Sequence, residues 1–263
     1  MCCPHRRILV KCQCLSNRKH RMHDLRWTMP VARWSAVAAA ATADISFIEP
    51  IVRRRLSSLS RSALKVAHDC VAERDRVRVV FASRHGELRR TTDILRAIST
   101  GEPVSPTAFS LSVLNAMTGI FGIARGDRSP ASAISAGKQT LGFALLEAHA
   151  QFEADPSSPV LLVYADEPAD AAYGTIEDEV QGGALAILLD TRGAGQLACT
   201  MSATGSHSGA PESAFGRSAA CAGIPNAFLT QSEAVQRCLD TQAPATWQTT
   251  GTTWHWSWHD SAA

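Results

Sequence analysis

The stretch from Pro130 to Phe152 constrains the fold more than any other part of the chain. It opens on a run of small apolar residues, 131–136, whose length predicts a short buried strand. Gly137 then permits a sharp turn, and apolar residues at helical spacing from Leu141 onward predict an amphipathic helix. Because a strand that runs straight into a helix leaves the turn at the helix N-terminus, unpaired amides there can activate a nucleophile or hold an anion. We therefore expect the functional site at residues 135–139.

Residues on both sides of this stretch resemble the N-terminal half of a β-ketoacyl synthase. Asn115 matches the Asn of that family's P-N-A segment, Pro130 the Pro before its nucleophile strand, and Glu147-Ala148 the E-A pair of its nucleophile helix. Further on, Gly182, Gly183 and Leu185 fit the family's G-x-G-A-G-A-L-V-L-E segment. The likeness covers roughly residues 25 to 240. It is stronger to the shorter β-ketoacyl synthase chain length factors found with aryl polyene and type II polyketide genes.

The resemblance places Lys138, or with a one-residue slip Gln139, where a working synthase has its nucleophilic cysteine. Synthase chemistry needs a thiolate to accept the acyl group, and neither an amine nor an amide replaces it at neutral pH. The family's catalytic histidines stand in H-G-T and N-x-H segments. The histidines after the predicted helix are His207, His255 and His259, and Gly-Thr follows none of them. The resemblance therefore implies that the catalytic set is missing.

The alternation of predicted strands and helices over residues 77–190 indicates a layered α/β domain with a mixed, largely parallel sheet. The resemblance narrows this to a thiolase-like half-fold, which would expose a surface that normally pairs. It implies a non-catalytic partner of a β-ketoacyl-acyl carrier protein synthase, in a heterodimer that works on fatty acid, aryl polyene or polyketide chains. Its other partner would be an acyl carrier protein with a phosphopantetheine-linked acyl chain, and no cofactor or metal is expected. The residues expected at the pseudo-active site or acyl tunnel are Asn115, Ser135, Gly137, Lys138 and Gln139.

Two alternatives remain open at the turn. Ser135 and Lys138 spell S-x-x-K, the spacing at which a lysine can deprotonate a serine in an acyltransferase or hydrolase, although no K-T-G or S-D-N follows. Lys138 can equally be a surface residue that caps the helix. His85, after the strand predicted at residues 77–83, is a further acid or base candidate, but it has no obvious carboxylate partner in the sequence.

A run of arginines, Arg53 to Arg55, opens an amphipathic helix predicted over residues 47–75. These cations could contact a carrier protein or a partner through phosphate or acidic side chains, or they could form an ordinary solvated face. Near the C-terminus, Trp254, Trp256 and Trp258 alternate with His255 and Ser257, which predicts a half-buried strand. Two histidines on one face of that strand are weak evidence for a metal site.

Composition bounds the remaining possibilities. A hydrophobic content of 45%, a charged content of 19% and a net charge of +2 are typical of a soluble globular protein and do not indicate nucleic-acid binding. Eight cysteines in 263 residues are too dilute for a disulfide scaffold, which favours reduced thiols and a cytoplasmic location. No apolar run predicts a secretory signal or a membrane span.

The first 24 residues differ in composition from the rest of the chain. They are rich in cysteine, histidine, arginine and lysine, without the spacing of a zinc site. We expect residues 1–24 to be a disordered basic tail or sequence upstream of the true start, Met22 or Met29, and residues 25–263 to form the domain.

Overall fold

The structure, a computed structural model, describes residues 24–39, 41, 43–71, 74–176, 179–203 and 228–260. In this part of the chain eight strands form one mixed sheet with the order β3-β2-β4-β5-β1-β6-β8-β7. The strands are β1 (Leu25–Val37), β2 (Arg78–Ala82), β3 (Ala131–Ile134), β4 (Val160–Asp166), β5 (Gly183–Leu189), β6 (Gly195–Ala203), β7 (Ala245–Thr249) and β8 (Thr252–Asp260). Residues 1–23 of the expected N-terminal tail and His207 lie outside the described residues.

The sheet is mixed, but the expectation that it is largely parallel was wrong. Only β2 pairs in parallel, with β3 on one side and β4 on the other, whereas the other five strand pairings in the described chain are antiparallel. Parallel neighbours need a crossover, and helices lie between β2 and β3 and between β3 and β4. The antiparallel pairs β4–β5 and β7–β8 consist of strands that follow each other along the chain, so the second strand of each pair runs back beside the first.

Helices cover both faces of the sheet. They are α1 (Pro50–Arg53), α2 (Ser58–Val71), α3 (Leu88–Ser99), α4 (Pro106–Ser110), α5 (Ala116–Arg125), α6 (Thr140–Ala154) and α7 (Gln231–Thr241). Buried residues of α6 and α7 pack on one face, and those of α2 and α5 pack on the other. Strand β4 is buried along its whole length because alternate residues enter the two cores: Leu162 faces α6, and Val163 faces α2. The layered α/β architecture is therefore confirmed.

The helix predicted over residues 47–75 divides into α1 and α2. The Ser57 hydroxyl accepts a hydrogen bond from the Ser60 amide at 3.0 Å, which caps a new helix start. The Arg61 guanidinium fastens the break by donating to the carbonyls of Arg53, at 2.5 Å, and Leu56, at 3.3 Å. Arg54 and Arg55 therefore lie in the turn between the helices, and only Arg53 lies in a helix.

Strand β3 and the C-terminal segment also differ from expectation. β3 was expected to be buried, but it is the terminal strand of the sheet, and Ala131 is exposed. The C-terminal tryptophans lie on β8, which pairs with β7 across a turn at Gly251. Trp254 and Trp256 are fully buried, so the period-two pattern is confirmed, with a hairpin in place of a single strand.

Candidate functional site

The turn between β3 and α6 brings residues 135–139 to the helix start, as the sequence predicted. Gly137 has a φ of +57°, and a Cβ there would meet no atom within 4 Å. Glycine is therefore favoured at this position by the left-handed backbone conformation and not by a lack of space. Thr140 closes the turn, since its hydroxyl accepts from the Ala136 amide at 2.9 Å and donates to the Gly137 carbonyl at 2.6 Å. The 15-residue helix α6 then runs from Thr140 with its amino end at this turn.

The side chains of the turn residues contact different parts of the molecule. The carboxamide Oε1 of Gln139 accepts a hydrogen bond from the indole Nε1 of Trp254 at 2.8 Å, so this side chain is directed toward β8. The hydroxyl of Ser135 is exposed and donates to the Arg84 carbonyl at 3.1 Å. Lys138, half-buried, lines a small cavity together with Gly137. No thiol is present between residues 135 and 142, the region where the resemblance expects the nucleophile.

The cavity has a volume of about 20 Å³, enough for one water-sized group. Two helix starts meet there, because the carboxamide Oε1 of Gln231, the first residue of α7, accepts a hydrogen bond from the Gly142 amide of α6 at 2.8 Å. The lining residues are Arg84, Gly137, Lys138, Leu141, Tyr164, Val180, Leu229, Thr230, Gln231 and Trp247. Sequence reasoning missed Gln231, since its position depends on how α7 packs.

A buried carboxyl group stands beside this cavity at the end of β4. Asp166 is 1% exposed and accepts from the Ser83 hydroxyl at 2.9 Å and from the backbone amides of Arg84 and His85. Burial raises the pKa of Asp166 above its ordinary value, although these hydrogen bonds oppose the rise. Burial, followed by the charge of Asp166, also raises the pKa of Tyr164, so this phenol stays protonated at neutral pH.

His85 has the carboxylate partner that its sequence neighbourhood lacked. Its Nε2 lies 2.7 Å from Oε1 of Glu179, which is 94 residues further along the chain. Burial of Glu179 favours its neutral form, but the Val180 amide and the imidazole outweigh that effect and lower the pKa of this carboxyl group. Neither His85 nor Glu179 lines the cavity, so the structure does not bring this pair to the turn.

The remaining predicted site residues lie at the surface. Asn115 precedes α5, is exposed, and does not line the cavity. The side chains of Arg54 and Arg55 are exposed, and Arg53 is half-buried. The Arg55 carbonyl accepts from the Arg90 guanidinium at 3.0 Å, which brings the arginine turn against the start of α3.

The C-terminal histidines make local contacts. Nδ1 of His255 lies 3.0 Å from the Thr246 hydroxyl, and Nε2 of His259 lies 3.2 Å from the Ser257 hydroxyl. Within the described ranges no group of three or more His, Cys, Asp or Glu side chains could hold a metal ion. None of the described helices has the length and apolar content that a membrane crossing requires.

The profile of the β-ketoacyl synthase N-terminal domain family matches residues 26–257. The chain therefore belongs to the β-ketoacyl synthase N-terminal domain family. No curated protein sequence matches the chain.

Solved structures with the same fold confirm that it is thiolase-like. One is a chain of the complex of a ketosynthase (ApeO) with its chain length factor (ApeC) from Xenorhabdus doucetiae. It has 22% identity and a TM-score of 0.69, and the match covers 88% of this chain and 99% of that one. A chain of the ishigamide ketosynthase/chain length factor has 16% identity and a TM-score of 0.51, with 67% of each chain covered. A β-ketoacyl synthase from Burkholderia phymatum STM815 has 11% identity and a TM-score of 0.51, with 64% of this chain and 53% of that one covered.

Proposed function

We propose that this chain is a non-catalytic, chain-length-factor-like partner of a β-ketoacyl-acyl carrier protein synthase. The observation that carries the proposal is the turn before α6, where the family resemblance puts Lys138, or with a one-residue slip Gln139, at the position of the nucleophile, and where no thiol is present. Gln139 holds the buried indole of Trp254 through its carboxamide, so this side chain supports the hairpin β7–β8. A carboxamide used in this way contributes to the fold, and it cannot itself carry an acyl chain.

The edge of the sheet supports pairing with a second protein. β3 is the terminal strand, and the amides of Val79 in β2 and of Ser83, just after β2, donate to the carbonyls of Pro130 and Ile134. Because backbone groups alternate in direction along a strand, those of Ala131 and Ala133 point away from β2. An open edge of this kind is a template for another strand.

Exposed apolar side chains lie on the helices that connect β2 to β3. Four of them are more than half exposed: Leu95 at 54%, Ile98 at 59%, Phe109 at 63% and Ile123 at 85%. Exposed large apolar side chains on successive helices are a common feature of surfaces that bind another protein. We infer that α3, α4, α5 and the edge of β3 contact the synthase subunit.

In this arrangement the turn before α6 lies near the interface and helps to shape the tunnel for an acyl chain carried by an acyl carrier protein. The arginine turn at Arg54 and Arg55 presents exposed cations suited to phosphate or acidic side chains of that carrier. The match extends over 99% of the length of one chain of the ketosynthase and chain length factor complex. This agreement supports a role for a chain of this fold as one subunit of such a complex.

The proposal is tested by reconstituting elongation with the synthase encoded beside this chain, an acyl carrier protein and malonyl units. We expect long carrier-bound products with the complete set and none when this chain is omitted. We also expect no labelling of this chain by an acyl-phosphonate that reacts with activated serines, because the Ser135 hydroxyl donates to a backbone carbonyl. Labelling at Ser135 together with elongation that does not need the chain would instead establish the serine acyltransferase or hydrolase.

A further inference from the structure

We propose that the cavity between the starts of α6 and α7 is a binding site for the carboxylate of an acyl ligand, with Gln231 as the donor that recognises it. This inference rests on the proposed function in one respect, which is that the molecule carrying the carboxylate is taken to be an acyl chain.

The orientation of the Gln231 carboxamide is fixed by its contact with α6. A backbone N–H can only donate, so the atom 2.8 Å from the Gly142 amide must be the carboxamide oxygen. The carboxamide nitrogen Nε2 therefore faces the other way. Gln231 is 3% exposed, and its Nε2 has no hydrogen-bond partner within the described part of the chain. A buried donor left unpaired costs free energy, which a ligand oxygen at this position would recover.

The surroundings of Nε2 favour an anion over a neutral group. Helices α6 and α7, of 15 and 11 residues, both direct their amino ends at the cavity, and each supplies a partial positive charge there. Lys138 and Arg84 bring cationic side chains to its wall, and none of the described residues that line it is acidic. Asp166 lies behind this wall, where the Ser83 hydroxyl and two amides hold it.

The size and walls of the cavity restrict the ligand. About 20 Å³ admits a single oxygen-bearing head group, so the rest of the ligand must extend outward. Leu141, Val180, Leu229 and Trp247 give the cavity apolar walls, and Leu229, 67% exposed, stands at the mouth. The indole of Trp247 donates to the Leu229 carbonyl at 3.4 Å and fixes the position of that residue. An acyl chain with a terminal carboxylate satisfies both requirements.

Isothermal titration calorimetry of the full chain with hexanoate, hexanamide and the N-acetylcysteamine thioester of hexanoate tests the assignment. We expect hexanoate to bind and the two neutral compounds to bind at least about tenfold more weakly, since a hydrogen bond to a charged group is stronger than one to a neutral group. If the thioester bound as tightly as hexanoate, the inference that the cavity selects a negatively charged group would be wrong. The absence of hexanoate binding at millimolar concentration would show that the cavity holds an ordered water only.

The Gln231→Glu variant tests whether the carboxamide nitrogen of Gln231 is the group that binds the ligand. It keeps an oxygen for the Gly142 amide, but it replaces the unpaired nitrogen with an anionic oxygen that fills the ligand's place. We expect hexanoate binding to weaken at least about tenfold without a fall in Tm, because the new carboxylate lies between two helix starts. The matched control is Gln236→Glu, the same change on the same helix at a residue outside the cavity lining. Unchanged affinity in Gln231→Glu would overturn the proposal.

Co-elution of each variant with the synthase is scored in the same preparations. A Gln231→Glu chain that still pairs but no longer binds hexanoate separates the carboxylate site from the partner function. A wild-type chain that binds hexanoate but pairs with no synthase would contradict the proposed function and leave the carboxylate site standing.

Discussion

At the scale of single residues, the contact between Gln139 and Trp254 explains why the position beside the expected nucleophile is occupied by an amide. Trp254 is fully buried, and its indole N–H needs an acceptor because an unpaired buried donor is destabilising. A cysteine at residue 139 could accept only weakly through sulfur. Gln139 is thus a structural part of this chain.

Replacing Gln139 with Met removes that acceptor while keeping the side chain long and flexible. We expect the free energy of unfolding to fall by about 1 to 3 kcal/mol, measured by urea denaturation followed through tryptophan fluorescence. Gln139→Glu, which keeps an oxygen for the indole, serves as the control and should retain most of the stability. Equal losses in both variants would show that the hydrogen bond is not the cause.

The buried carboxyl of Asp166 gives stability a dependence on pH with a defined sign. Its pKa is raised in the folded state, so its contribution is largest below the ordinary value of 3.8 and is lost as pH rises through the folded pKa. The difference in unfolding free energy between wild type and Asp166→Asn should therefore shrink as pH rises from about 4.

Asp170 provides the opposite case for comparison. The Ala172 amide and the Arg96 guanidinium lower the pKa of this carboxyl group. Its contribution should be present above 3.8 and should be lost as pH falls through the folded pKa. Denaturation of Asp166→Asn and Asp170→Asn over one series of buffers measures both slopes, and slopes of the same sign would refute the assignment.

At the scale of elements, the contact between α6 and β8 depends on a glycine. A Cβ on Gly142 would lie 2.6 Å from ring carbons of Trp254, whereas a Cβ on Gly119 of α5 would meet nothing within 4 Å. Both glycines lie in helices, so alanine is the better residue for each backbone. The same substitution is therefore expected to have opposite effects at the two positions.

We expect Gly142→Ala to destabilise the chain by about 1 to 3 kcal/mol, since Trp254 is enclosed and cannot move without repacking. Gly119→Ala should stabilise it by about 0.5 to 1 kcal/mol through helix propensity. Thermal denaturation of the two variants is the measurement. A stable Gly142→Ala chain would mean that α6 packs on β8 less closely than the structure shows.

The sequence predicted local elements well and their connections less well. The glycine turn before α6, the strand predicted at residues 77–83 and the alternating tryptophans of β8 are each encoded by neighbouring residues, and all three were found. The break between α1 and α2 depends on Arg61 binding carbonyls up to eight residues away. The antiparallel half of the sheet depends on which strands meet, and this information is not local.

The candidate site shows the same limit. Gly137 and Lys138 were predicted at the turn from spacing alone, and they do line the cavity. Gln231 and Glu179 enter from distant segments, at separations of 89 residues from Gly142 and 94 residues from His85. Neither residue carries a local signal that could have identified it.

At the scale of the whole molecule, the two terminal strands of the sheet, β3 and β7, have different surroundings. Helix α7 packs on the β7–β8 hairpin, whereas β3 follows helices that carry exposed apolar side chains. A chain with an open strand edge and exposed apolar side chains at one end is suited to act within a larger assembly.

Charge placed on this end should weaken the assembly without unfolding the chain. We expect Ile123→Glu, at a side chain that is 85% exposed, to leave the Tm unchanged and to weaken binding of the synthase at least about tenfold. The control is Leu25→Glu at an exposed residue of β1, which should bind normally. Surface plasmon resonance with immobilised synthase provides the comparison, and equal affinities would place the interface elsewhere.

A stoichiometric partner of a ketosynthase must form a stable complex with it. The experiment is co-expression with the synthase from the same locus, followed by size-exclusion chromatography and native mass spectrometry of the peak. We expect a one-to-one complex whose mass is the sum of the two chains. If this chain instead elutes alone as a folded monomer while the synthase forms its own dimer, the proposed pairing is wrong.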